Sequence, residues 1–228
     1  MSSRLRPDLS FENQAGYPSA WIVGVDEVGR GCLAGSVVAG AVLLPFPING
    51  IQPLDDPSLS WLKDVRDSKC LRPEARERLE PFIQDWALSW AVGEASVEEI
   101  DRMNIYHAAH LAMSRAVEAC LEKVVALGPV HVLVDGNRIP KTLVHSATAI
   151  VKGDLKCLSI AAASIVAKVY RDRQMRDLNL RFPGYSFAEH KGYSTPVHQQ
   201  ALKKWGPCEA HRKTFAPVAA LLAPKSET

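Results

Sequence analysis

The chain has 228 residues, 47% of them hydrophobic, and a formal net charge of +2, which suits one domain with a full core and excludes a disordered polymer. No apolar run is long enough to span a bilayer, and residues 1–20 carry Arg4, Arg6, Asp8 and Glu12 without an apolar signal core, so a cytoplasmic protein is expected. The five cysteines are scattered and never form a C-x-x-C pair, which supports neither a disulfide framework nor a zinc knuckle.

Residues 1–20, punctuated by Pro7, Gly16 and Pro18, read as a polar, loosely held leader. Residues 21–35, WIVGVDEVGRGCLAG, are the stretch around which the rest is organised. Ile22, Val23 and Val25 predict a short buried strand that ends on Asp26 and Glu27. An ionised carboxylate there loses hydration unless a cation or hydrogen-bond donors replace it. A turn-capping Asp26 is the plain alternative. Gly29 and Gly31, however, flank Arg30, so bare backbone can approach a ligand beside a planar guanidinium suited to phosphate. Acid, glycine and arginine within six residues suggest a metal-assisted site on a phosphate ester. A dinucleotide-binding loop fits poorly, because residues 36–44 read as a returning strand and not as a helix.

Residues 45–57 predict a proline-rich surface loop with Asp55 and Asp56 in solvent. A helix is expected over 73–86, with Leu79, Phe82, Ile83 and Trp86 on one face; Pro81 inside it predicts a kink or two shorter helices. Residues 87–95 alternate as a third strand, and 97–127 predict one long helix. His107 and His110 lie on that helix, but no nearby acid completes a metal-ligand set with them.

Residues 130–134 predict a compact strand that delivers Asp135 into Gly136, Asn137 and Arg138, repeating the pattern of the first site. Residues 149–151 form one more predicted strand, followed by Asp154. Four carboxylates converging from strand ends would repel one another without cations, so a divalent-metal site is expected. Oxygen ligands favour a hard ion, Mg²⁺ first and Mn²⁺ second. A helix follows over 159–180; its Asp172 is an alternative fourth acid, ranked lower because Arg171 and Arg173 flank it like an exposed ion-pair cluster. Residues 183–195 mix Tyr185, Phe187 and Tyr193 with His190 and Lys191, a composition suited to stacking on a sugar or base with a phosphate alongside. Residues 221–228 show no helix signal.

The net charge conceals a division. Residues 1–137 hold 12 Lys and Arg against 19 Asp and Glu, whereas residues 138–213 hold 14 against 5. A basic half joined to an acid-bearing half fits a polyanion held over a cation site.

The run GVDEVGRGCLAG resembles the signature of the type 2 ribonucleases H, the bacterial ribonuclease HII family. Further matches follow in order: Asp67-Ser68-Lys69, Asn104-Ile105, the A-A-S-I-x-A-K segment ending at Lys168, H-K-G-Y-x-T from His190, and H-R-x-T-F-x-P from His211, where Thr214 replaces the commoner Ser. The resemblance covers residues 21–218. It implies a ribonuclease H-like α/β fold, a central mixed β-sheet opening antiparallel and flanked by helices, with a small C-terminal helical and loop extension. It implies Asp26, Glu27, Asp135 and Asp154 as metal ligands and catalytic groups of a two-metal hydrolysis that leaves 3′-hydroxyl and 5′-phosphate ends.

The same resemblance implies that Gly29, Arg30 and Gly31 sense a ribonucleotide 2′-hydroxyl while Tyr193 stacks on the adjoining deoxyribose. Lys69, Asn137, Arg138, Ser164, Lys168, His190 and Lys191 are the further expected substrate contacts. The expected substrates are RNA–DNA hybrids and duplex DNA containing ribonucleotides, cut 5′ of even one ribonucleotide, by a monomer with no obligatory protein partner and no membrane association. In domain terms, 1–20 is the leader, 21–218 the catalytic domain with a substrate-sensing segment at 183–218, and 219–228 a tail. Two rivals stay open on residues alone: a nucleic-acid-binding module, which leaves the acids unexplained, and a metal-dependent phosphomonoesterase, which leaves the basic and aromatic surface unexplained.

Overall fold

A computed structural model describes residues 6–47, 50–124 and 128–223. Residues 1–5 of the leader, 224–228 of the tail and 125–127 of the long predicted helix lie outside them. Five strands form one sheet: β1 (Trp21–Val28), β2 (Val37–Leu43), β3 (Ser89–Ala95), β4 (Val130–Asp135) and β5 (Ser146–Ile150), in the order β3-β2-β1-β4-β5. β1, β2 and β3 pair antiparallel, with Asp26 opposite Gly40 and Gly40 opposite Val92. β4 joins β1 in parallel and β5 joins β4 in parallel. The sheet is therefore mixed and opens antiparallel, as expected.

Before the sheet comes α1 (Ser10–Gln14); between its strands run α2 (Pro73–Trp86) and α3 (Val97–Leu121). After β5 come α4 (Leu158–Arg181), α5 (Phe187–His190), α6 (Pro196–Trp205) and α7 (Ala216–Leu222). β2 is buried along its whole length because helices cover both of its faces. On one face α3 packs Ala108, Ala112, Ala116 and Val117 against Val23, Ala39 and Ala41. On the other, α4 packs Ile160, Ala161, Ala163 and Ile165 with Ile22, Val42 and α2 residues Leu79 and Ile83. The approach of α4 is close: a Cβ on Gly24 of β1 would lie 2.2 Å from the carbonyl carbon of Ser159. A third cluster ties Leu33 and Ala34 to Met175, Phe187, Leu202 and Val218, so the C-terminal helices fold back over the turn that follows β1.

Several expectations are corrected. Residues 6–20 are not a loose leader: Glu12 is fully buried, its Oε1 accepts from the Ser159 amide (2.9 Å) and hydroxyl (2.8 Å), and Asp8 bridges to Cys157. This carboxylate engages donors in the first turn of α4, where helix amides have no partner of their own. Pro81 does not divide α2, which runs unbroken for 14 residues. The long helix α3 is interrupted instead at Asn104, whose φ of 68° and ψ of 163° are not helical; its side-chain oxygen accepts from the amides of Tyr106 and His107 and so starts the helix afresh. The tail begins in a helix, because α7 reaches Leu222.

Candidate active site

Asp26 and Glu27 lie inside β1, which continues past its pairing with β4 while still paired with β2. Pairing with β4 stops at Val25 and Val134, so Asp26 comes level with Asp135 at the end of β4. The crowding is direct: Asp26, Glu27 and Asp135 each offer a carboxylate oxygen within 4.8 Å of the others. Asp135 Oδ1 accepts from the Gly153 amide at 2.7 Å, which pins the turn carrying Asp154 against β4. Asp154 lies in a short 3₁₀ turn, Gly153–Leu155, and not at a strand end.

The electrostatics follow from this packing. Burial pushes the Asp26 carboxyl well above its ordinary range, and Glu27 and Asp135 push it further; the hydrogen-bonding hydroxyl of Ser164 opposes them. Burial raises Glu27 too, against the Arg30 guanidinium 3.0 Å away. Asp154 is pushed up to about 6 by burial and then by Asp135 and Asp67, against Lys69. Partial burial pulls the Lys69 amine down, but Asp26, Asp67, Asp154 and Asp135 outweigh it and raise it. Acids held this close and this dry fit a divalent cation, and an all-oxygen donor set fits a hard one.

Around the acids the expected substrate groups divide. Arg30 is half exposed and Gly31 is open, with nothing within 4 Å of where a Cβ would stand. Lys69 is exposed with its Nζ 3.9 Å from Asp154, while Asn137 and Arg138 are exposed beyond Asp135. Tyr193 is 41% exposed, and its backbone forms an antiparallel bridge with Cys32 just after the Gly29 to Gly31 turn. Ser164 is buried, 2.8 Å from the Ser68 hydroxyl, and reaches Asp26 rather than open solvent.

Three more expected contacts are turned inward. Lys168 Nζ lies 2.5 Å from Asp172, so it neutralises a buried acid. His190 uses both ring nitrogens within its own loop, on the Tyr185 carbonyl and the Gly192 amide, and stacks on His198. Lys191, in a left-handed conformation, donates to the Ala188 carbonyl at 2.5 Å. Asp172 and Arg171 are not an exposed ion-pair cluster. Asp172 is buried between Lys168 and Arg76, and Arg171 is buried beneath the Gly29 turn. One further group shapes the site without having been singled out for it. Arg212, in the H-R-x-T-F-x-P segment, donates to the carbonyls of Gly29 and Arg30, while the Tyr193 hydroxyl is held toward the Cys32 sulfur. The motif around Arg212 was visible in the sequence; its contact 183 positions away was not.

Comparison with known proteins agrees with this geometry. The profile of the family described as Ribonuclease HII matches residues 23–218. A ribonuclease HII from Hyphomonas neptunium is 47% identical over 213 residues, covering 89% of this chain and 97% of that protein. Among solved structures, the ribonuclease H2 of Pyrococcus horikoshii superposes with a TM-score of 0.63 at 26% identity, covering 88% of this chain and 96% of that one. The Archaeoglobus fulgidus ribonuclease HII, solved in complex with PCNA, gives 0.62 at 28% identity, covering 90% and 98%. With its mixed sheet between helices and its acids at the meeting of β1 and β4, the chain has the ribonuclease H-like fold, and it belongs to the ribonuclease HII family of metal-dependent endoribonucleases acting on RNA–DNA hybrids.

Proposed function

We propose that this enzyme cuts the phosphodiester on the 5′ side of a ribonucleotide, including one embedded alone in duplex DNA, and leaves 3′-hydroxyl and 5′-phosphate ends. One observation carries the reading: Cys32 joins Tyr193 to the Gly29, Arg30 and Gly31 turn, next to three carboxylates within 4.8 Å of one another. A sugar lying on the exposed Tyr193 ring would present its neighbour's 2′-hydroxyl to the turn and its phosphate to the acids.

Asp26, Glu27 and Asp135 would hold the divalent ions, with Asp154 completing the set from its pinned turn. Bound there, Mg²⁺ or Mn²⁺ supplies Lewis acidity at phosphorus and activates water in the manner of two-metal hydrolysis. Arg30 and Lys69 bring positive charge to different members of the acid set, one on Glu27 and the other beside Asp154, which suits them to hold the non-bridging phosphate oxygens. Asn137 and Arg138 extend that clamp beyond Asp135. Ser164 keeps Asp26 oriented through its hydroxyl. The chain is expected to act in the cytoplasm, as a monomer and with no obligatory protein partner; catalysis by the purified chain without added protein, in a fraction of monomer mass, tests the last two points.

The decisive experiment is cleavage of duplex DNA with one ribonucleotide, with Mg²⁺, Mn²⁺ or chelator, by the intact chain and by Asp135→Asn. The expected result is a metal-dependent nick 5′ of the ribonucleotide, reduced about 10²-fold or more in the variant, since even partners of metal ligands are worth up to ~10²-fold. Cleavage of a continuous hybrid without that nick would retain the carboxylate site and discard the sensing roles of the turn and Tyr193.

A further inference from the structure

Two buried arginines lie behind the Gly29 to Gly31 turn. Arg212 donates Nη2 to the Gly29 carbonyl (2.7 Å), Nη1 to that of Arg30 (2.9 Å), Nε to that of Gly35 (2.9 Å) and Nη2 again to that of Ser36 (3.2 Å). Arg171 reaches the carbonyls of Ala34 (3.1 Å), Ser36 (3.3 Å) and Lys191 (2.9 Å). Both guanidiniums are fully buried, and among the described residues neither has a carboxylate at ion-pairing distance. A buried cation is costly to desolvate; main-chain oxygens offset that cost here, helped at Arg212 by the Phe215 ring 5.1 Å from its guanidinium. A hydrophobic side chain here would leave those buried carbonyls short of donors, so the arrangement serves the main chain and calls for an account of what it fixes.

The carbonyl directions provide one. In a trans peptide the C=O and the following N–H point in opposite directions. The peptides joining Gly29 to Arg30 and Arg30 to Gly31 are trans. Because Arg212 draws both carbonyls inward, the amides of Arg30 and Gly31 face outward, and among the described residues neither donates to a protein acceptor. The turn cannot rotate freely: Gly29 has φ of +91°, and a Cβ there would fall 2.2 Å from Arg171 Nε. Two amide donors are thus aimed together at the open space beside Gly31.

We propose that Arg212, backed by Arg171, is the positioning residue that aims the Arg30 and Gly31 amides at the ribonucleotide 2′-hydroxyl, making ribose selectivity a property of a side chain that never touches the substrate. This rests on the reading of the turn as the 2′-hydroxyl sensor. A lysine at 212 would keep the charge, but one ammonium cannot span four carbonyls as the forked guanidinium does. Geometry and charge are therefore separable.

The test uses the full chain carrying Asp135→Asn to silence cleavage, with Mg²⁺ present. Its affinity is measured for a duplex holding one ribonucleotide and for the all-DNA duplex of the same sequence, alone and with Arg212→Lys or Arg212→Gln added. Thermal unfolding is followed in each. The expected result is that both added substitutions lower the ribonucleotide preference by about tenfold or more while all-DNA affinity stays unchanged, because misplacing a contact group by an ångström costs up to ~10²-fold. A preference fully retained in either Arg212 variant would overturn the positioning role alone. Equal affinity for both duplexes in Asp135→Asn itself would overturn the sensor reading of the turn and this proposal with it. Loss of cooperative unfolding in both variants would also overturn it, making Arg212 a determinant of the fold.

Discussion

At the scale of single residues, the site is a set of acids raised by burial and by one another. Burial pushes the Asp154 carboxyl up to about 6 from an ordinary value of 3.8, and Asp26 and Glu27 shift in the same direction. The folded state therefore binds more protons than the unfolded one between those values, and the stabilisation is present below the unfolded value and lost as pH rises through the folded one. With chelator present, the melting temperature is expected to fall as pH is raised from about 4 to about 6. Mg²⁺ should reverse the trend, because it selects the deprotonated acids. Differential scanning calorimetry across that range decides it; a melting temperature that rises over the window with chelator would contradict the mutual repulsion. Asp26, Glu27, Asp135 and Asp154 could be picked out from the sequence because each lies close to an apolar run, although the first three belong to the strands themselves and Asp154 to a 3₁₀ turn. Lys168 and Asp172 were misread because a helix of alternating small and charged residues does not reveal which charges face inward. Only the partners of Asp172, Arg76 on α2 and Lys168 one turn earlier, show that it is buried.

At the scale of elements, helices lie almost on the backbone of the sheet. Gly24 is where α4 meets β1, and Gly24→Ala is expected to destabilise the fold by about 1–3 kcal/mol or more, since overpacking forces backbone shifts. A lowered denaturant midpoint with an unchanged slope would verify it. A midpoint equal to that of the parent would mean that α4 has room to slide. The strands and the main helices were readable from hydrophobic period and from glycine and proline punctuation. The N-terminal segment was not: its polar composition suggested solvent, yet Glu12 is drawn into the core by the donors at the start of α4. The break in α3 was equally hidden, because an asparagine that caps a helix and one that decorates it look alike in one dimension.

At the scale of the whole molecule, the acidic first part supplies Asp26, Glu27 and Asp135, and the basic part from 138 onward is carried largely by α4, α6 and the loops that close over the turn. Binding of a hybrid duplex should weaken with salt, each neutralised phosphate contributing about 0.9 to the logarithmic slope. Lys69→Gln is expected to reduce that slope by about one, and an unchanged slope in salt titrations would place Lys69 off the phosphate path. Among the described residues no helix is long and apolar enough to cross a membrane. The connection between Gly29 and Arg212 also has a consequence in time. The two are separated by 183 positions, so at ~5–20 residues per second a ribosome makes Arg212 roughly 10–40 s after the turn. Through that interval the nascent chain already holds Asp26 and Glu27 while the carbonyls of Gly29 and Arg30 still lack the side chain that orients them, and the turn is held in place only after Arg212 has been made and has folded back onto it.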